Sequence, residues 1–261
     1  MAGTDSAIGT SVEVDHGRYR RLRRLNVGVG LLLAVEAGYM LLASNGLAVP
    51  VTASFLRTDP VLARPTRPET VFSLDIGVTV AVFLALAALD HLLVAAPGVH
   101  RWYDPGLARS ANDARWVASS VSASITILLI GLFVGIRDLA AVAAVFAANT
   151  AMILFGLLME RQQRPGAADW SAFWFGSLVG LVPWVLIGIY TLEPATVPGF
   201  VYAIVVVQFV LFFSFAFNMA MQYAQVGRWK DYVFGEVGYI VLSLTAKSLL
   251  AWLVFANVLR T

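Results

Sequence analysis

The sequence predicts an all-α membrane protein built as a bundle of seven transmembrane helices. Of its 261 residues, 59% are hydrophobic and only 13% are charged, whereas soluble domains carry about 25% charged residues. A membrane-spanning helix needs about 20 mostly apolar residues, and seven runs of the chain meet that requirement. These runs fill most of the sequence, so we expect residues 1–261 to form a single domain in a lipid bilayer.

The seven predicted helices follow one another closely. Their approximate ranges are 25–45, 70–96, 112–136, 138–160, 170–192, 199–226 and 233–257. The very short connection between the third and fourth helices predicts that these two are antiparallel neighbours. In the long connection at 46–69, a β-prone run precedes Pro60, Pro65 and Pro68, which interrupt regular structure. We therefore predict a short β-hairpin in this first extracellular loop.

Positive charge is distributed unevenly between the two sides of the predicted bundle. With the N-terminus inside, twelve Lys and Arg residues fall on the inner side and five on the outer side. Cytoplasmic loops of membrane proteins carry the excess of Lys and Arg. The count predicts a protein of the cell membrane with a cytoplasmic N-terminus and an extracellular C-terminus.

The composition argues against several classes of function. The sequence contains no cysteine, which excludes disulfides, thiolate metal sites and a cysteine nucleophile. Its net charge of +2 is too small to indicate a nucleic-acid partner. We expect no metal site, no nucleic-acid binding and no enzymatic activity.

Lys247 is the only lysine or arginine placed deep inside an apolar run. An ammonium near the centre of a bilayer costs at least about 2.5–3.5 kcal/mol. Such a group persists when it is paired, when it lines a wet cavity, or when its chemistry is used. The use that fits best is a Schiff base, because a lysine amine shielded from water can condense with an aldehyde.

Glu36 is the first candidate partner of this lysine. It lies about eleven residues into the first predicted helix, and Lys247 lies about fourteen residues into the seventh, which correspond to depths of roughly 16 and 21 Å. The similar depths predict a direct or water-bridged pair, which a buried cation needs. The alternative is a protonated Glu36 that bonds to a neighbouring helix.

Asp90 and His91 lie near the cytoplasmic end of the second predicted helix. Neighbouring residues of a helix point about 100° apart, so we expect at most one to face the interior squarely, and favour His91. Because histidine titrates near neutral pH, this residue could accept a proton on the cytoplasmic side. The alternative is that one of the two extends to the membrane interface.

Hydroxyl groups and aromatic rings supply the remaining candidates. Ser119, Ser122 and Thr126 share one face of the third helix, where they could line a cofactor pocket or merely permit close helix packing. Rings of the fifth and sixth helices could sandwich a conjugated ligand, although most aromatic residues of such helices pack in the core or face lipid.

Several motifs of the sequence resemble those of the heliorhodopsins. The segments that carry the resemblance are WKDYVFGE at 229–236, SLTAKSLLAW at 243–252, NTAMILFGLLME at 149–160, VPW at 182–184, PGFVY at 198–202 and SAS at 122–124. The match extends through all seven helices. The inverted orientation predicted from the charge count agrees independently with this family.

The resemblance implies all-trans retinal bound to Lys247 as a protonated Schiff base, with Ser243 one turn before it. The other residues expected around the retinal are Ser119, Ser122, Thr126, Asn149, Met152, Trp184, Phe212 and Phe213. It also implies a homodimer with a slow photocycle that senses light and signals to an unknown cytoplasmic partner. The alternatives are a light-driven proton or anion transporter or channel, and a membrane scaffold with an unused lysine.

The sequence departs from the family pattern at the counterion. Heliorhodopsins usually carry a glutamate three residues after the arginine of helix 3, but here Arg115 leads to Ala118. The family also tends to have a histidine near Leu33, which is absent here, and a glutamine near Glu36, where this chain has an acid. His91 matches the second-helix histidine of the family.

A protonated Schiff base in a low-dielectric site needs a nearby anion. We hypothesise that Glu36 is the relocated counterion. The alternatives are Asp90, a chloride bound beside Ser119 and Ser122, or an Ala118 introduced by engineering.

Overall fold

The computed structural model describes residues 16–55, 67–99, 103, 106–107, 110–193 and 197–260. Within these ranges, seven helices are long and apolar enough to span a membrane, which confirms the predicted fold class. They are α1 (His16–Leu42), α2 (Ile76–Ala95), α3 (Asp113–Phe133), α4 (Leu139–Gln162), α5 (Ser171–Leu192), α6 (Gly199–Tyr223) and α7 (Tyr232–Val254). A 3₁₀ turn at Gly227–Lys230 precedes α7, and a π-helical turn at Phe255–Leu259 follows it.

The predicted hairpin is confirmed as a two-stranded antiparallel sheet. Strand β1 (Ala48–Ala53) pairs with β2 (Glu69–Asp75), and the register is irregular between Val51 and Thr52. The sheet connects the end of α1 to the start of α2. We call the end of the bundle where it lies the hairpin end. Pro60 and Pro65, together with Arg57, Arg64, Arg101 and Arg109 of the charge count, lie outside the described residues.

The second helix begins six residues later than predicted. Residues 70–75 belong to β2, where Thr70, Val71 and Phe72 suit a strand that pairs with β1. Asp75 then caps α2, because its Oδ1 accepts hydrogen bonds from the Val78 amide at 2.8 Å and the Ser44 hydroxyl at 2.9 Å. An apolar run in the sequence is therefore not sufficient to distinguish a strand from the helix that follows it.

The first helix begins at His16, nine residues before the predicted start. Its arginine-rich first turns precede the apolar run, and tertiary contacts stabilise them. Arg23 Nε donates to the Ala95 carbonyl of α2 at 2.7 Å, and Arg18 pairs with Asp231 next to α7. Hydropathy therefore predicted only the part of α1 that faces apolar surroundings.

Buried apolar and buried polar residues are distributed unevenly along the bundle axis, although Glu36, Thr79 and Thr191 are buried polar residues toward the hairpin end. Toward the hairpin end, the core contains Ile76, Val80, Ile130, Leu132 and Val254, which are all at most 1% exposed. Toward the opposite end, the buried side chains include polar and charged groups, among them Asn26, His91, Asn112, Glu160 and Glu236. Lys247 lies midway along α7, between these two regions.

Candidate functional site around Lys247

Lys247 is buried, with 6% of its surface exposed. Its Nζ donates a hydrogen bond to Ser243 Oγ, one turn earlier on α7, at 2.9 Å. Among the described residues, no carboxylate lies within 4.0 Å of this nitrogen. Buried charges are normally paired, so an ammonium held by one neutral hydroxyl is unusual for a purely structural lysine.

Glu36 contacts the helix that carries Lys247 without contacting the amine. Its carboxylate accepts hydrogen bonds from Ser248 Oγ at 2.7 Å and from Trp252 Nε1 at 3.0 Å. Ser248 and Trp252 are four residues apart and share one face of α7, while Lys247 points about 100° away from Ser248. The described contacts do not include the direct Glu36–Lys247 pair that the similar depths predicted. Glu36 bonds instead to other residues of the neighbouring helix α7.

A polar cavity lies beside Lys247 on the side away from the hairpin. Its volume is about 30 Å³, enough for roughly two water molecules. Ser243, Ser119, Asp90 and His91 all border it. Asp90 is only partly buried whereas His91 is buried, and both border the cavity because it extends from α1 to α3 and reaches two faces of α2.

Asp90 and His91 have different partners in this cavity. His91 is buried and bonds through Nδ1 to Asn26 Oδ1 of α1 at 2.7 Å. Asn26 was not predicted as a site residue; its position on an apolar helix was the available signal. Asp90 is partly buried and interacts electrostatically with Lys247. Its carboxylate has no hydrogen-bond partner among the residues that the structure describes.

A buried ionic network closes the far end of the cavity. Arg115 pairs with Glu160 at 2.5 Å and with Glu236, so one guanidinium serves two carboxylates. Asn112 donates its side-chain amide to Glu236 at 2.7 Å and its backbone amide to Glu160 at 2.8 Å. Trp116 Nε1 also donates to Glu160, at 2.7 Å. Glu160 and Glu236 were not predicted as site residues; the signal that could have identified them was an acid at the end of an apolar run.

Tyr103 extends this network outside the spanning helices. Its hydroxyl accepts a hydrogen bond from Asn112 Nδ2 at 2.9 Å. Burial raises the pKa of the Tyr103 phenol above its ordinary value. The phenol therefore stays neutral at physiological pH and keeps a proton to donate into the cavity that it borders.

The predicted hydroxyl stripe of α3 has two surroundings. Ser119 borders the cavity, whereas Ser122 and Thr126 are buried deeper, and Thr126 Oγ1 bonds to the Ser122 carbonyl at 3.0 Å. Asn149 of α4 donates to Ser124 Oγ at 3.0 Å. Ser119 of the stripe thus contacts the polar cavity and Thr126 bonds within α3, whereas the hydrogen bond to α4 is made by Ser124 outside the stripe.

Aromatic rings of α5 and α6 form a cluster near the turn of Lys247. The Trp184 ring meets Phe209 and Phe212 edge to face, with centroids 5.3 and 5.4 Å apart, and Phe209 stacks on Phe213 at 4.5 Å. Gln208, next to Phe209, donates to the carbonyl of Ala246 at 2.8 Å.

That hydrogen bond places the ring cluster beside the residue preceding Lys247. Met152 of α4 occupies the space left by the missing side chain of Gly180 on α5. The predicted rings therefore lie on α6, which bonds to this part of α7, and on α5, whereas Met152 of α4 packs against α5.

Comparison with known families identifies the fold. The family model for heliorhodopsin matches residues 22–259, nearly the whole chain and every site residue described above. The chain belongs to the heliorhodopsin family. A search of curated proteins finds no significant match.

Membership of the heliorhodopsins makes this a multi-pass, retinal-type light-sensing membrane protein. The residues fit such a chromophore, because a buried amine without a carboxylate contact lies beside an aromatic cluster. In this heliorhodopsin, Ala118 on α3 carries no charge at the position where the sequence resemblance led us to expect a counterion.

Proposed function

We propose that this heliorhodopsin is a light sensor whose Lys247 Nζ carries all-trans retinal as a protonated Schiff base. The observation that carries the proposal is the buried ammonium whose one hydrogen-bond partner in the described structure is Ser243 Oγ. The amine and the retinal aldehyde would join through a C=N bond and release one water molecule. Trp184, Phe212 and Phe213 would line the chromophore, as the aromatic cluster near Ala246 supports.

The retinal supplies visible-light absorption and a double-bond isomerisation. Ser243 Oγ orients the nitrogen of Lys247 and borders the polar cavity. The cavity, His91 and Asp90 provide positions to which a proton from this nitrogen could move. All of them lie toward the end of the bundle opposite the hairpin, and the charge count predicts that this opposite end is cytoplasmic.

The core toward the hairpin end is largely apolar and offers few groups that could pass an ion, although the Glu36 carboxylate is buried there between α1 and α7. Here Ile130, Leu132 and Val254 pack with Ile76 and Val80 toward the hairpin end, all at most 1% exposed. We infer a slow photocycle that rearranges the helices of a homodimer in the cell membrane and signals to a cytoplasmic partner.

Chemical trapping tests the attachment site. The protein is reconstituted with retinal, reduced with borohydride and digested, and the peptides are weighed. We expect one retinyl group per chain on the peptide that contains Lys247. An adduct on Lys230, the other lysine of the chain, or no adduct at all, would contradict the attachment.

Light-driven transport is tested in cells that express the protein. We expect illumination to cause no steady photocurrent and no change in external pH, because a sensor moves no net charge across the membrane. The same cells must show the visible absorption band of the pigment, so that the absence of a current cannot result from the absence of pigment. A steady current or pH change would favour the transporter.

A further inference from the structure

We propose that Asp90 is the counterion of the Schiff base and acts on Lys247 through water in the polar cavity. The inference rests on the proposed attachment of retinal to Lys247. It assigns to α2 the negative charge that Ala118 of α3 does not supply.

Among the described residues, the carboxylates that border the cavity are Asp90 and Glu236, and Asp90 is the unengaged one. Glu236 pairs with Arg115 and accepts a hydrogen bond from Asn112 at 2.7 Å. Asp90 has no hydrogen-bond partner among the described residues. An acid on a spanning helix is expensive unless its charge is used or compensated, so Asp90 requires a partner that the cavity can provide.

The cavity contains further signs of water. In the part of the chain that the structure describes, Arg115 Nε and the Tyr239 hydroxyl are buried without a hydrogen-bond partner, and both residues border the cavity. Buried polar atoms are almost always hydrogen-bonded, to protein or to ordered water. Room for roughly two waters would satisfy these atoms and connect Asp90 to Ser243, which holds the nitrogen of Lys247.

Glu36 fits the role of counterion less well. Its oxygens accept hydrogen bonds from Ser248 and Trp252, and it does not border the cavity. A bound chloride is also disfavoured, since Asp90 and Glu236 would repel an anion placed between them. Asp90 therefore combines an unengaged charge with access to Lys247.

Other titratable groups share the surroundings of Asp90 and belong in any interpretation of pH effects. From α2, α3, α7 and the segment before α3, the groups that border the same cavity or act on Asp90 are His91, Arg115, Glu236, Tyr239, Lys247 and Tyr103.

The experiment compares visible spectra of wild type, Asp90→Asn and Glu36→Gln, each reconstituted with retinal and titrated with pH in chloride and in sulfate. We expect Asp90→Asn to absorb at longer wavelength, because its ground state loses the anion that stabilises the positive nitrogen. Its visible band should also disappear at a pH about 1–3 units lower, the size of effect that a neighbouring opposite charge exerts. Glu36→Gln should titrate like wild type.

Three results would contradict the role of Asp90. A pigmented Asp90→Asn protein with an unchanged spectrum and titration would overturn the inference, as would a Glu36→Gln protein that shows the expected changes. A wild-type spectrum that depends on chloride would assign the role to a bound anion and overturn it too.

Folding and attachment are controlled separately. If Asp90→Asn yields no pigment, Asp90→Glu serves instead, and it should keep the protonated band with a shifted maximum; an unchanged maximum would overturn the inference. A wild-type protein that forms no visible pigment at any pH would refute the attachment to Lys247 itself, which distinguishes the two failures.

Discussion

Replacing Lys247 by alanine is expected to abolish the visible absorption of the retinal-reconstituted protein. Without the Nζ amine no Schiff base can form, so added retinal should keep the near-ultraviolet spectrum of the free aldehyde. Because the substitution removes a buried ammonium with one neutral partner, it should not destabilise the fold. Absorption spectroscopy with added retinal, together with a thermal melt of the retinal-free protein, measures both effects.

The chain offers a matched control for this variant. Lys230 is the other lysine, and it is exposed in the turn before α7. Lys230→Ala should therefore keep the full visible band. Lys247→Arg keeps the positive charge but cannot form a Schiff base, because a guanidinium stays protonated. This variant should also give no pigment. A visible band in Lys247→Ala would exclude this lysine as the attachment site.

Replacing Arg115 by glutamine is expected to lower the free energy of unfolding by about 3–5 kcal/mol. The substitution leaves Glu160 and Glu236 buried, with side chains 2% and 1% exposed and without their shared cation. It also removes the guanidinium stacked 3.9 Å from the Tyr239 ring centroid. Denaturant unfolding of the retinal-free protein in detergent measures the loss independently of chromophore binding.

Arg161 provides the comparison for Arg115. It pairs with Asp113 at 2.8 Å and joins α4 to α3, as the Arg115–Glu160 pair does, but its side chain is 57% exposed. Exposed ion pairs contribute about 0–1 kcal/mol, so Arg161→Gln should have little effect. Equal losses in the two variants would show that burial does not strengthen the Arg115 network.

The sequence by itself predicted the features that depend on composition along the chain. Seven apolar runs were sufficient for the number of helices and their approximate bounds, because bilayer thickness sets the length of a spanning helix. The isolated charge of Lys247 and the segment around it indicated the family. Bounds were wrong where another interaction outweighed hydropathy, as with the strand at 70–75 and the arginine-rich start of α1.

The tertiary structure alone decided which polar groups meet. The rise of 1.5 Å per residue places Glu36 and Lys247 at similar depths, but the rotation of each helix about its axis is set by packing against its neighbours. That rotation directs Glu36 to Ser248 and Trp252 and Asp90 to the cavity that Ser243 borders. It also brings Arg115, Glu160 and Glu236 together from three helices. The depth of a side chain in the membrane follows from its position along the helix, whereas its contact partners are set only when the helices pack into the bundle.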